Sequence, residues 1–335
     1  MSRSATAYDS IAFLLRAGHK SGLGHWFRCQ ALASELERRG VSDISFVLPR
    51  EPGQDRLSCD PPSHLVLIDA IDPVAIVCIL ESLCAETIIV DLPDTSEDLV
   101  RALERWPLAS IGGGGRGRDV VPIRIDGMLP RRGYGGNFRG AFRYEGPEYI
   151  ILRPEFASLR ERRRDPHDTP EGVLVMLGGS DLRGWSIRIA HLALRIWPKA
   201  HVYVVLGPAA NEVAPPLNLY IELLYDPPNV SELMAKVEVA ILSGGMTLYE
   251  ALCVGVPTLA IPVVRGQEPA VRACARAGLV EGPQLDSDSL AEDVILLDLR
   301  RMTSNRRRAL MANMMGIVDA RGAQRVTDIL LDHFS

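Results

Sequence analysis

Lysine is almost missing from this chain: of 37 basic residues only Lys20, Lys199 and Lys236 are lysines. The bias is compositional, and no function attaches to it. Charge of one sign is missing too, since 37 basic against 42 acidic residues leave a net −5. Such a balance does not favour nucleic acid as a partner. The basic runs Arg160–Arg164 and Arg300–Arg308 read as solvated loop or helix faces rather than phosphate sites. Cysteine is sparse, with residues 29, 59, 78, 84, 253 and 274 forming no CxxC pair and having no neighbouring histidine cluster. That spacing excludes a disulfide framework and a zinc centre, and no metal or other cofactor is expected. Cys29, Cys78, Cys253 and Cys274 sit in apolar periodic stretches and are expected to be buried small hydrophobes. No apolar run approaches the roughly 18 residues of a membrane span. Residues 1–9 carry no apolar core of a signal peptide, so a cytoplasmic protein is expected. The HExxH, GxSxG and EF-hand patterns are absent and the one GxGxxG match, Gly112–Gly117, is followed by no strong helix, which removes support from metalloprotease, serine-hydrolase and dinucleotide readings.

What is present is alternation. Strand-like apolar runs at Ser10–Arg16, Ile44–Leu48, His64–Ile68 and Thr87–Val90 are interleaved with helical periodicity at Gly24–Arg39, Val74–Ala85 and Ser96–Arg105. After Arg164 the pattern restarts, with strands Val173–Leu177, His201–Leu206, Val239–Leu242 and Thr258–Ile261. Helices are expected between and after them at Trp185–Ile196, Val230–Lys236, Thr247–Val254 and Pro269–Ala277. Strands alternating with helices argue for parallel βαβ units, and both faces of such sheets are buried, hence runs such as Val-Leu-Val-Met-Leu. The chain is therefore read as α/β, with two Rossmann-like doubly wound domains. The first is expected over residues 1–152 and the second over 165–317. The charged, proline-bearing stretch Leu152–Glu171 serves as linker, and the final helical stretch Arg306–Leu331 can return so that residues 318–335 complete the first domain.

Open α/β sheets take ligands at the carboxyl ends of their strands, so the glycine-rich strand-to-helix junctions are the places for chemistry. The first junction is Gly22-Leu23-Gly24-His25-Trp26-Phe27-Arg28. Glycines allow a sharp turn close to a ligand, and an imidazole in the first helical turn can accept a proton from water or a hydroxyl near neutral pH. A structural turn with a capping histidine would look the same. The second junction is Leu177-Gly178-Gly179-Ser180-Asp181, where Ser180 or Asp181 also suffices as a helix cap. The third, Ser243-Gly244-Gly245-Met246-Thr247-Leu248-Tyr249-Glu250, offers successive backbone N–H groups at a helix start, a nest suited to a diphosphate. Glu250, one turn on, can accept hydrogen bonds from a ribose diol. Gly112–Gly115 with Arg116 and Arg118 lacks the GxxxxGK[ST] pattern and reads as a flexible surface loop.

In this order, GxGHxxR at 22–28, the run Gly146–Phe156, LGGSD at 177–181, SGGMTLYEALCVGVP at 243–257 and then Gln267 resemble the PseG/SpsG family. These are UDP-2,4-diacetamido-2,4,6-trideoxy-altropyranose hydrolases of pseudaminic acid biosynthesis and their spore-coat relatives, akin to MurG-type GT-B glycosyltransferases. The resemblance covers roughly residues 10–285. It implies a GT-B-like fold, two Rossmann-like domains facing across a cleft, with UDP held mainly by the C-terminal one. Gly244, Gly245, Met246 and Thr247 would then hold the diphosphate and Glu250 the ribose, with Gln267, Gly178, Gly179 and Ser180 lining the site. On the other side Gly22, Gly24 and Arg28 would bind the substrate beside His25, which matches the family's catalytic base activating water without a metal. The family's acidic residue after the first strand, its Asp-x-Tyr and its late Asn are replaced here by Ala17-Gly18, by Ala70-Ile71 after Asp69, and by Gly266. These changes fall on the sugar side. The leading expectation is a UDP-sugar hydrolase releasing UDP and a free amino-deoxy sugar. The alternatives are an inverting GT-B glycosyltransferase passing the sugar to a sugar or glycoside acceptor, and a non-catalytic nucleotide-sugar-binding protein.

Overall fold

The computed structural model describes residues 9–334 except 19–20, 53, 55–56, 58–62, 130–137, 160, 162–164, 208–209, 211–217 and 283–285. His19, Lys20, Cys59, most of the run Arg160–Arg164 and the first eight residues therefore lie outside the described residues. The chain divides into two compact units, Met1–Arg153 with Arg321–Ser335, and Pro154–Ala320.

The first unit holds β1 (Ser10–Leu15), β2 (Asp43–Pro49), β3 (His64–Ile68), β4 (Thr87–Asp91), β5 (Leu108–Ile111), β6 (Ile123–Asp126) and β7 (Phe142–Glu145). They form one sheet in the order β3-β2-β1-β4-β5-β6-β7, parallel throughout. β1 shows why its sequence is apolar without alternation. Ile11, Phe13 and Leu15 pack on one face against Trp26, Leu32 and Leu36 of the helix Gly24–Arg38 and Val326 and Leu330 of the helix Gly322–Phe334. Ala12 and Leu14 pack on the other face, with Ile76 and Leu80 of the helix Pro73–Ser82. Each such fully buried side chain contributes roughly 1.5–3 kcal/mol. The C-terminal helix starts close against the chain before it: a Cβ on Gly322 would lie 1.9 Å from the carbonyl oxygen of Ile150, so only glycine fits.

The second unit repeats the plan with β8 (Gly172–Met176), β9 (His201–Leu206), β10 (Ile221–Tyr225), β11 (Val239–Ser243) and β12 (Thr258–Ile261). Their order is β10-β9-β8-β11-β12, again all parallel. In each sheet the first strand of the chain lies inside. The winding reverses between β1 and β4 in one, and between β8 and β11 in the other. Such reversals leave a crevice beyond the carboxyl ends of the two strands, the usual ligand position in open α/β sheets.

Several expectations need correction. The stretch Arg306–Leu331 is two helices, Ser304–Met314 and Gly322–Phe334, separated where Gly316 and Ala320 adopt left-handed backbone. The stretch Leu152–Glu171 is more than a linker, because it contains the helix Glu155–Leu159, whose Phe156 and Leu159 are buried. Cys78 is exposed on the outer side of its helix, whereas Cys29, Cys253 and Cys274 are buried. The glycine run at 112–115 is a packed turn rather than a loose surface loop. A Cβ on Gly113 would fall 1.9 Å from the Leu92 carbonyl oxygen, and Arg118, just beyond, is buried on Asp126 at 2.9 Å. The helix expected over Trp185–Ile196 is present as Ser186–Ile196, and the Asp181 carboxylate accepts from the N–H groups at its start.

Candidate functional site

At the first reversal, β1 and β4 end side by side, with Leu15 in register with Asp91. From β1 the chain turns through Gly22, whose φ of +72° suits glycine, and enters the helix Gly24–Arg38 without a capping side chain. His25 stands at the second position of that helix and Arg28 one turn later, so both side chains share a face. Both meet Asp91. His25 Nδ1 lies 2.8 Å from Asp91 Oδ1. Arg28 Nε donates to Oδ2 at 2.8 Å and Nη2 to Oδ1 at 2.5 Å. The Cys29 thiol reaches Oδ2 at 3.5 Å.

Asp91 is fully buried, and burial alone would raise its carboxyl; the Arg28 and His25 charges outweigh that and hold it well below the usual carboxylate range. Burial, together with the Asp91 charge, pushes the Cys29 thiol well up, so it remains a protonated donor. An ionised carboxylate only accepts hydrogen bonds, so the neutral form of His25 carries its hydrogen on Nδ1 and its lone pair on Nε2. The imidazole is 18% exposed, enough for Nε2 to be approached. The result is an oriented base.

At the second reversal, Gly178, Gly179 and Ser180 come after β8, and Ser243 ends β11 before Gly244 and Gly245. A Cβ on Gly178, whose φ is +98°, would come 3.8 Å from Ser243 Oγ, so the two junctions are neighbours. The helix Met246–Val254 starts after Gly245 with no side-chain cap. The first N–H groups of a helix have no partner within it, and its N-terminus carries partial positive charge. Gly245, Met246, Thr247 and Glu250 are half-buried and Gly244 is buried. Gln267 is part of this scaffold: its Oε1 accepts from the N–H of Gly244 at 3.3 Å and of Val263 at 3.0 Å. On the other junction Asp181, in left-handed backbone, accepts from the N–H groups of Trp185 and Ser186.

The sequence-predicted residues thus gather at two places. His25, Arg28, Gly22 and Gly24 lie in the first unit; Gly178, Gly179, Ser180, Gly244, Gly245, Met246, Thr247, Glu250 and Gln267 lie in the second. Ala70 and Gly266 are exposed, and Ile71 packs against the apolar cluster under the helix Pro73–Ser82. Sequence reasoning missed Asp91, 66 residues from His25. Its one signal was an acid closing an otherwise apolar strand. Among the described residues no group of three His, Cys, Asp or Glu side chains is placed to hold a metal ion. Among them too, no helix is long and apolar enough to cross a membrane.

No protein-family model matches the chain. It is 26% identical to the spore coat polysaccharide biosynthesis protein SpsG of Bacillus subtilis, over 96% of this chain and 98% of that protein. MurG of Acinetobacter baumannii superposes with a TM-score of 0.65 at 14% identity, covering 96% of this chain and 99% of that one. The spinosyn rhamnosyltransferase SpnG complexed with thymidine diphosphate gives 0.68 at 13% identity, covering 96% and 99%. The chain thus resembles SpsG over nearly its whole length, and its two parallel sheets with flanking helices have the GT-B fold of these solved structures.

Proposed function

We propose that the protein is an enzyme acting on a UDP-sugar, with the Gly244–Glu250 turn taking the UDP and His25 serving as general base. The observation that carries this reading is the 2.8 Å contact of His25 Nδ1 with the buried, ionised Asp91. A protein that only bound a nucleotide sugar would have no use for an imidazole held in one tautomer with its lone pair outward. For the nucleotide, the support is the glycine-rich helix start at Gly245 with Glu250 one turn on, together with the likeness to SpnG, which was solved with a nucleoside diphosphate. Backbone N–H groups of Gly245, Met246 and Thr247 would take the diphosphate, and Glu250 the ribose hydroxyls. Gln267 would act by fixing Gly244.

In the reaction, His25 Nε2 takes a proton from water as the water oxygen bonds to the anomeric carbon. The bond from that carbon to the diphosphate oxygen breaks, and UDP leaves with the electron pair. The helix N-terminus stabilises the charge it gains. Asp91 steadies the imidazolium and keeps its own proton off. The likeness to SpsG over nearly the whole chain favours water as nucleophile. The glycosyltransferase neighbours favour a second reading with the same base, in which an acceptor hydroxyl replaces water. Turnover in ¹⁸O-labelled water separates them. Label in the released sugar supports hydrolysis, and an unlabelled glycoside formed only with acceptor supports transfer.

A further inference from the structure

We infer that Arg28 is a positioning residue for the base rather than a contact for the nucleotide: its guanidinium clamps Asp91 so that Oδ1 faces His25 Nδ1. The inference rests on the reading of His25 as base. The clamp is two-pronged, Nε to Oδ2 at 2.8 Å and Nη2 to Oδ1 at 2.5 Å, which fixes the plane of the carboxylate as well as its place. Nη2 also comes within 3.1 Å of His25 Nδ1, so the imidazole, carboxylate and guanidinium form one cluster. Arg28's side chain is only 9% exposed. Gly112, following β5, closes over it: a Cβ there would stand 3.0–3.2 Å from the guanidinium atoms, and the φ of +82° disfavours any other residue. The nucleotide candidates all belong to the other unit.

The charged and titratable groups facing this cluster are Asp91 from β4, Cys29 and His25 from the helix, and Asp126 from β6. A lysine would supply the charge but not the planar fork. A buried ion pair is no efficient way to stabilise a fold, since apolar residues of similar volume often do better. What this pair accomplishes is chemical. Without Arg28, burial favours the protonated carboxyl of Asp91, and an Asp91 carrying a proton no longer holds His25 in the tautomer with Nε2 unprotonated.

The test compares Arg28→Met, Arg28→Lys and His25→Ala with the parent, using UDP release from a UDP-sugar substrate, calorimetric UDP affinity and the pH profile of kcat/KM. Arg28→Met is expected to lower kcat by about 10–100-fold, with UDP affinity unchanged. Its acidic limb moves to higher pH, because Asp91 now takes up a proton where the parent keeps it ionised. Arg28→Lys is expected to return the limb towards the parent while recovering only part of kcat. Because Arg28 acts through Asp91, adding Arg28→Met to Asp91→Asn should cost no more than about 3-fold further. That comparison remains decisive if the single variant melts lower. A loss of UDP affinity, an unmoved acidic limb, or full additivity in the double variant would overturn the assignment. Full activity in His25→Ala would instead overturn the base itself. Loss there with an unimpaired Arg28→Met would refute only the role given to Arg28.

Discussion

At His25 the two ring nitrogens divide the work. Nδ1 is tied to Asp91 at 2.8 Å, which in the proposed mechanism leaves Nε2 for the proton taken from the nucleophile. Replacing His25 by alanine should lower kcat by about 10²–10⁴-fold, the usual worth of positioned proton transfer. Asp91→Asn should fall in a similar range, since the amide no longer enforces the tautomer. Unchanged steady-state rates for either variant would rule out the pair. Asp91 also gives a pH signature for stability. Its carboxyl titrates lower in the folded chain than the roughly 3.9 of an unfolded one, so the stability it lends is complete above that value and is lost as pH falls below it. The difference in melting temperature between the parent and Asp91→Asn is therefore expected to shrink below about pH 4. Among the residues of the site, His25 was legible because its glycine flanks mark a strand-to-helix turn. Asp91 was not, since only the pairing of β4 with β1 brings it there, and Arg28 could be seen but not its partner.

Elements differ in how plainly the sequence announces them. β1, β8 and β11 read directly as buried strands because both faces are covered and their inner positions are apolar. β5, β6, β7 and β10 escaped notice, although the first three widen the first sheet to seven strands. The end of the chain misled as well. Helical periodicity runs on through Gly316, and only the left-handed backbone there separates the two helices. The last of them, Gly322–Phe334, sits on the helix that carries His25, with Leu330 fully buried. Leu330→Ala is expected to destabilise by about 2–5 kcal/mol, measured by denaturant unfolding. A change near zero would mean that this helix is dispensable to the first core. On the nucleotide side, Glu250→Ala is expected to weaken UDP by about 1–3 kcal/mol in calorimetry, the loss for hydrogen bonds to a charged group. An unaltered affinity would remove Glu250 from the site.

For the whole molecule, the proposed function makes binding and turnover separable. UDP at about 100 times its Kd should add about 2.7 kcal/mol to stability by mass action. Its protection against hydrogen exchange should centre on residues 178–181 and 244–250, with the turn at 22–28 hardly affected. The most direct single measurement is UDP release from a panel of UDP-sugars by the parent and by His25→Ala, each with its UDP affinity determined on the same preparation. The account predicts that the parent releases UDP from at least one of them. His25→Ala should bind UDP equally well yet turn over about 10²–10⁴-fold more slowly. A His25→Ala protein as active as the parent, or one whose slower turnover came entirely from lost UDP affinity, would contradict it.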